Sequence, residues 1–334
     1  MGADRTPWSG LAAVALLITT APGSVSARQT DPNAAAPAAG DSQAGSAPNT
    51  APPPGTPTPT PIPPSTAPPT PPPDKSGFNL FNPTPAADLR GFCTDRPTKS
   101  TGPCTVDAGY FQIESDVFNV TIDHSRGVAA DTWLITNPTL KLGLTNTVDF
   151  ELNMAPYEII TTRDRVTGAT MRQSGVGDLF LRFKWALLGD DGGKVAFALV
   201  PYVKIPTAPL GIGNGAVEGG LIAPVNVNLP LGWSVTIDPE VDLLENASGQ
   251  GTHINTSGLL SFSRAVSKQV TFSAEIWSDV NFEPLGTVTQ VSADLGLAWI
   301  PASQPTLQFD GGVNLGLNRQ TPGAQLYVGI SHRF

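Results

Sequence analysis

Residues 233–243 read WSVTIDPEVDL. Trp233, Val235, Ile237, Val241 and Leu243 fall on one parity, and Ser234, Thr236, Asp238, Glu240 and Asp242 on the other. An extended chain sends successive side chains to opposite faces, so this stretch predicts a strand with one apolar and one polar, acidic face. Residues 178–187 repeat the pattern. Leu179, Leu181, Phe183, Trp185 and Leu187 alternate with Asp178, Phe180, Arg182 and Lys184.

Working outward from these two segments, alternation interrupted by Gly, Pro, Asn and Asp predicts about twelve strands. They lie near 109–122, 132–144, 147–158, 177–188, 194–205, 219–230, 233–244, 253–265, 269–280, 289–300, 305–317 and 324–334. In the first, the apolar parity changes from Phe111, Ile113 and Val117 to Phe118, Val120 and Ile122, which predicts a bulge. These strands exceed the usual five or six residues and are long enough to cross a bilayer when tilted.

The links support a barrel. Tight ones, such as 145–146, 231–232 and 267–268, alternate with longer ones at 123–131, 159–176, 206–218, 245–252 and 281–288. Outer-membrane barrels pair short periplasmic turns with longer outer loops, which would place both chain ends in the periplasm. Trp185, Trp233, Trp299 and Phe334 sit near strand ends, where aromatic girdles belong. The fold expected is therefore all-β, an antiparallel transmembrane barrel of about twelve strands. A soluble sandwich or lipocalin-like barrel also alternates, but its strands are shorter.

Composition agrees. Charged residues are 14% of the chain, well below the roughly 25% of a soluble domain, and mean hydropathy is near zero at −0.02. A net charge of −9 with no basic stripe argues against a nucleic-acid partner. Arg5, the apolar run 11–18 and the small residues Val25, Ser26 and Ala27 predict a signal peptide over 1–27. Residues 28–75 are rich in Pro, Ala and Thr and predict a disordered periplasmic linker. Residues 76–105 are more varied and read as a periplasmic cap or plug, leaving 106–334 for the barrel. Cys93 and Cys104 are the sole cysteines. In an exported chain they are expected to pair as a local staple, and no third Cys or His lies near to make a zinc site.

Polar parity assigns Asp149, Glu151, Asp178, Arg182, Lys184, Lys204, Asp238, Glu240, Asp242, Glu275, Asp294 and Asp310 to the lumen. Lys141, Tyr202, Asp279, Tyr327 and Arg333 join them. Asp149 and Glu151 are expected to face Arg182 and Lys184 across neighbouring strands. Such pairs either neutralise the lumen and hold register, or form a charged constriction that sets selectivity. The acid excess on later strands would favour cations or neutral solutes. Inward glycines, including Gly220, Gly296, Gly312, Gly316 and Gly329, would leave room or permit curvature. The terminal Phe334, sharing parity with Leu326, Val328 and Ile330, resembles the signal read by the barrel assembly machinery.

Several stretches together resemble the outer-membrane transporter family named for the meta-pathway of phenol degradation. They are FNPTPAADLRGFCTDRPTKSTGPCTVDAGYFQIE at 81–114, NPTLKLGLTNTVDFEL at 137–152, GVGDLFLRFKWAL at 175–187 and ALVPYVKIPTA at 198–208. Asp95-Arg96-Pro97 and Gly175-Val176-Gly177-Asp178 are the most telling pieces. The resemblance covers about 78–334; the cysteine pair and the long linker are departures. It implies a β-barrel in outer-membrane lipid that passes small, hydrophobic or aromatic solutes. The residues themselves offer no phosphate loop and no His/Cys/Asp cluster at metal-ligand spacing, so no cofactor and no metal are expected. Two other functions are weighed. One is a structural anchor with a closed lumen. The other is a membrane-embedded hydrolase, for which His124, His253 and His332 are the available bases; none shows a Ser–His arrangement of the required kind, and the chain is read as a non-enzyme.

Overall fold

A computed structural model describes residues 74–124 and 127–334; the expected signal peptide at 1–27 and nearly all of the expected linker at 28–75 lie outside the described residues. Twelve antiparallel strands form one sheet that closes on itself. We number them β1 (Phe111–Asp123), β2 (Val128–Gly143), β3 (Val148–Asn153 resuming as Tyr157–Asp164), β4 (Thr170–Gly175 resuming as Leu179–Leu188) and β5 (Val195–Ile205). Next come β6 (Glu218–Ile222 and Val225–Asn228), β7 (Trp233–Ile237 and Glu240–Glu245) and β8 (Thr252–Ala265). The last are β9 (Val270–Asn281), β10 (Val288–Trp299), β11 (Leu307–Gly316) and β12 (Ala324–Arg333).

Each strand pairs with its sequence neighbours, and β1 closes the ring on β12 from Gln112↔Arg333 to Ile122↔Ala324. The register of that pair shifts between Asp116 and Phe118, at the bulge the parity change predicts. The four interrupted strands break at 154–156, 176–178, 223–224 and 238–239. Pro156, Pro224 and Pro239 stand in three of those gaps, because proline cannot donate to a ladder. Backbone bonds still cross them: the Ala223 N–H donates to Pro239 at 3.0 Å and the Gly177 N–H to Ala155 at 2.8 Å.

Two expectations about the links need correction. The stretch 159–176 is not a long loop, since β3 runs on to Asp164 and β4 starts at Thr170; β2 likewise starts at Val128. Outside the bilayer both faces of a hairpin meet water, so alternation fades there and the strand cannot be read by parity. The link 206–217 is the one that departs from the wall. It folds inward, burying Ala208, Ile212 and Ala216.

Burial is inside out. In β4, Phe183 and Trp185 are 49% and 52% exposed, while Lys184 between them is fully buried. Along the other strands Leu243, Ile254, Leu297 and Val328 face outward, and Asp242, Asn255, Glu275 and Asp294 face inward. Exposing such an apolar wall to water would forfeit about 25 cal/mol for every Å²; a hydrocarbon surround removes that cost. One mouth, which we call proximal, holds the start of β1 and the end of β12. It is ringed by aromatic contacts: Phe111 with Phe334 (5.9 Å between centroids), Phe150 with Phe183 (5.1 Å) and Trp299 with Phe309 (5.6 Å). Trp233 lies there too, with Arg264 over its ring at 5.3 Å.

Candidate functional site

A strap ahead of β1 enters the proximal mouth and fills the lumen behind it. It is first tied to the proximal turns. Leu80 donates its N–H to Leu144 at 2.8 Å, and Lys75 lies 2.6 Å from Asp191. Arg90 meets Asp191 at 2.9 Å and Asp190 at 3.2 Å, and its guanidinium also reaches Asn146. Arg333, at the end of β12, pairs with Asp107 of the strap at 3.0 Å and donates to the Arg90 carbonyl.

These turn contacts have a pH signature. Burial alone would push Asp191 up, but hydrogen bonds from Lys75, Asn146 and Arg90 outweigh it and hold the carboxyl down at about 2. Asp190 goes the other way, raised chiefly by burial. A carboxyl that titrates lower when folded than its ordinary value of about 3.9 stabilises the fold above that value and loses the contribution as pH falls through its folded one. The tie through Asp191 is therefore expected to hold at pH 5 and to fade between about 4 and about 2. Hydrogen exchange over residues 75–92 as pH is lowered checks this; loss of protection already at pH 5 would contradict it.

Beyond Arg90 the strap makes a loop closed by a disulfide between Cys93 and Cys104. The loop carries its own charges into the lumen, and each meets an opposite charge on the wall. The Asp95 carboxylate accepts from Lys184 of β4 at 2.8 Å and from Lys141 of β2. Glu114 of β1 accepts the Asp95 N–H at 3.0 Å. The Arg96 guanidinium reaches Asp116 of β1 and Asp310 of β11, both at 2.7 Å, and lies 5.6 Å from the Tyr327 ring centroid. The Lys99 ammonium donates to Ser292 at 2.9 Å and Asp294 at 3.2 Å on β10, over the Trp277 ring at 4.3 Å. Glu275 of β9 accepts the Lys99 N–H at 3.0 Å, Asp238 beside β7 that of Thr101 at 2.7 Å, and Asp149 of β3 that of Val106 at 2.9 Å.

The wall leaves space for this loop by omitting side chains. A β-carbon on Gly329 would stand 2.1 Å from an Arg96 nitrogen, and one on Gly296 3.0 Å from the Pro97 ring. The Tyr327 hydroxyl then donates to the Pro97 carbonyl at 2.7 Å.

Replacing both Cys93 and Cys104 by Ser frees the loop in the undocked state. Closing a loop of this length is worth about 3 kcal/mol. Trypsin is expected to cut after Lys99 in the double variant, or in the reduced protein, and to spare the oxidised one. Equal resistance in the reduced and oxidised forms would show that the wall contacts alone hold the loop.

All the lumen candidates read from parity face inward, though they fall into two groups. Asp149, Glu151, Lys184, Asp238, Glu275, Asp294 and Asp310 surround the strap. In register, Asp149 stands opposite Lys184, and Glu151 opposite Arg182. Glu151 lies 3.2 Å from Lys184, 3.5 Å from Lys141 and 3.9 Å from Arg182. Asp178, Lys204, Glu240 and Asp242 line the distal half. Lys204 reaches Glu218 at 2.7 Å and Asp178 at 3.4 Å. The Tyr202 hydroxyl is 2.6 Å from Asp242 and 3.2 Å from Glu240, and Asn255 bridges Asp242 and Asp279 at 2.9 Å each. Phe180 packs near Tyr202 at 6.1 Å, so aromatic rings as well as acids line this half.

Sequence reasoning missed Glu114 and Asp116, although both share parity with the inward Gln112. It also gave no role to Asp95, Arg96 and Lys99, whose partners lie far along the chain. The histidines sit apart from any serine nucleophile in the contacts seen among the described residues. His253 pairs with Asn246 at 3.0 Å, His332 with the Thr306 carbonyl at 2.8 Å, and His124 lies 3.4 Å from Asp131 at the surface.

The family described as "Putative MetA-pathway of phenol degradation" matches residues 94–334, from the disulfide loop to the last residue. No curated relative matches the chain. Among solved structures, an outer membrane channel from Pseudomonas putida F1 is similar with a TM-score of 0.52 at 12% identity, over 67% of this chain and 95% of that one. Weaker likenesses include the NanC porin (TM-score 0.41, 11% identity, 64% of this chain and 98% of that one). Another is the CymD monoaromatic hydrocarbon channel (TM-score 0.37, 9% identity, 67% and 88%). At 12% identity the first of these likenesses is one of fold.

Proposed function

The chain belongs to the family named for the MetA-pathway of phenol degradation, and from that premise we propose that it is a bacterial outer-membrane channel for small hydrophobic or aromatic solutes, gated by its own strap. The observation that carries the reading is the strap. A wall built only to anchor has no use for a lumen whose filling is a separate segment, held by ion pairs and seated on glycines. Charged contacts in a polar lumen are exchangeable, because water and solute ions can replace each one as it opens. Aromatic faces of Phe180, Tyr202, Trp277 and Tyr327 supply contact area for an apolar solute along the way.

The proximal mouth is the periplasmic one in this reading, since it holds the strap to which the signal peptide and linker are joined. Phe334, paired by its N–H to Phe111 at 2.8 Å, is the assembly signal. The lumen acids are selectivity residues, and no catalytic role is assigned to any side chain. Flux of toluene into vesicles bearing lipopolysaccharide in the outer leaflet tests the proposal. Faster entry with the protein than without it is expected. The closed anchor is the second reading, favoured by how fully the strap fills the lumen; entry no faster than into empty vesicles would select it.

A further inference from the structure

Glu158 sits in the distal half of β3, paired with Leu134 of β2 and Gly175 of β4, on the inward parity. It is fully buried, and among the described residues no hydrogen bond or ion pair reaches either carboxylate oxygen. Every acid around the strap has a cation or an N–H against it; this one has none. A buried carboxyl without a donor loses hydration and gains nothing in return, so such a group persists when another state of the molecule supplies the donor.

The cover over it is the 206–217 link. A β-carbon on Gly175, the cross-strand partner of Glu158, would stand 2.7 Å from the Pro209 ring and 3.7 Å from Ile212. At Gly213 a β-carbon would meet the Asp178 carboxylate at 2.7 Å, so the link backbone presses directly on that acid. Asp178 accepts the Ala208 N–H at 3.0 Å and faces Lys204 at 3.4 Å. Pro209, Ile212 and Leu134 provide the apolar surround. The link thus lies over a carboxylate in a greasy recess. It holds on to the wall through Asp178, through the Thr207 hydroxyl donating to the Gly177 carbonyl at 3.0 Å, and through Lys204, which reaches Asn214 of the link and Glu218.

Resting on the channel reading, we propose that Glu158 is the recognition residue for the hydrogen-bond-donating head, an ammonium or a hydroxyl, of a small apolar solute, bound where the 206–217 link now lies. The apolar body of the solute takes the place of Pro209 and Ile212 against Leu134, and its head gives Glu158 the donor it lacks. Selection is then for amphipathic solutes over plain hydrocarbons, because a site built to bond a donor discriminates against the analogue without one.

Benzylamine, benzyl alcohol and toluene share one body and differ in the head. Their binding to the full-length protein in detergent, read by saturation-transfer NMR, tests the site without relying on flux. The wild type is expected to hold benzylamine at least about tenfold more tightly than toluene, the size of one charge-assisted hydrogen bond. Glu158→Gln, nearly isosteric, is expected to abolish that margin for benzylamine and to keep most of the benzyl alcohol binding. Glu158→Leu should lose both margins, with folding verified by heat-modifiable migration. Equal benzylamine affinity in the wild type and in Glu158→Gln, or no margin over toluene in the wild type, overturns the site. Toluene flux into vesicles decides the channel reading separately: binding without flux would sink the channel and keep the site, and flux without the margin would do the reverse.

Discussion

Removing residues 76–105 is expected to turn a quiet barrel into a steadily conducting, cation-selective pore. The strap brings Arg96 and Lys99 to Asp116, Asp310 and Asp294, and takes Asp95 away with it. Without it the proximal lumen keeps Glu114, Asp116, Asp149, Glu151, Asp238, Glu275, Asp294 and Asp310, against Lys141, Arg182 and Lys184. Water replaces the strap, and the surplus acids face an open path. A narrow lumen lined by one sign of charge enriches counter-ions on the order of tenfold. Planar-bilayer recordings of the whole and shortened chains, with reversal potentials in a salt gradient, provide the measurement. An anion preference in the shortened chain would contradict the charge accounting. Silence in both would mean that the inward 206–217 link closes the path unaided.

A single substitution, Arg96→Ala, should do most of the same work. The Arg96 side chain is buried between Asp116 and Asp310, and removing it strands two carboxylates that no other cation among the described residues is seen to reach. Breaking a buried pair by deleting one partner costs about 3–5 kcal/mol, because the charge left behind stays desolvated. At about 1.4 kcal/mol per decade, the balance between docked and released strap moves by at least about a hundredfold. Hydrogen exchange over residues 93–104 reads that balance, as does open probability in the bilayer. Arg96→Lys keeps the charge but reaches one carboxylate rather than two, and should fall between. Adding Asp310→Asn to Arg96→Ala removes one orphan and should recover part of the loss. Unchanged protection in Arg96→Ala would show that the loop is held by its backbone bonds to Glu275, Asp238 and Asp149.

The barrel was legible where its two faces meet different solvents. In β4 and β7 lipid lies on one side and the lumen on the other, so parity alone separates Trp185 from Lys184 and Val241 from Asp242. The hairpin over 159–175 was not legible as strand, because beyond the lipid both faces are wet and the pattern dissolves. The lumen side chains were legible one by one, but not the company they keep. Asp95, Arg96 and Lys99 look like any polar loop until the chain has folded around them. Glu158 fell on an expected strand end, where parity carries no weight; only its burial without a partner marks it out.

Arg96 also bears on how the barrel is made. It bonds β1 on one side and β11 on the other, lying against Gly329 of β12 between them. That is the junction where the first and last strands meet. The contact from Arg96 to Asp310 spans 214 positions, among the longest separations in the chain. Loop-closure entropy therefore sets it among the last contacts to form. The strap leaves the translocation machinery before any strand, yet its seat does not exist until the final strand arrives. The early segment can complete its docking only once the last strands are in place. When it docks, it clasps the ring across its only non-sequential joint, so a barrel whose strap has been pulled out is also one whose weld has been weakened.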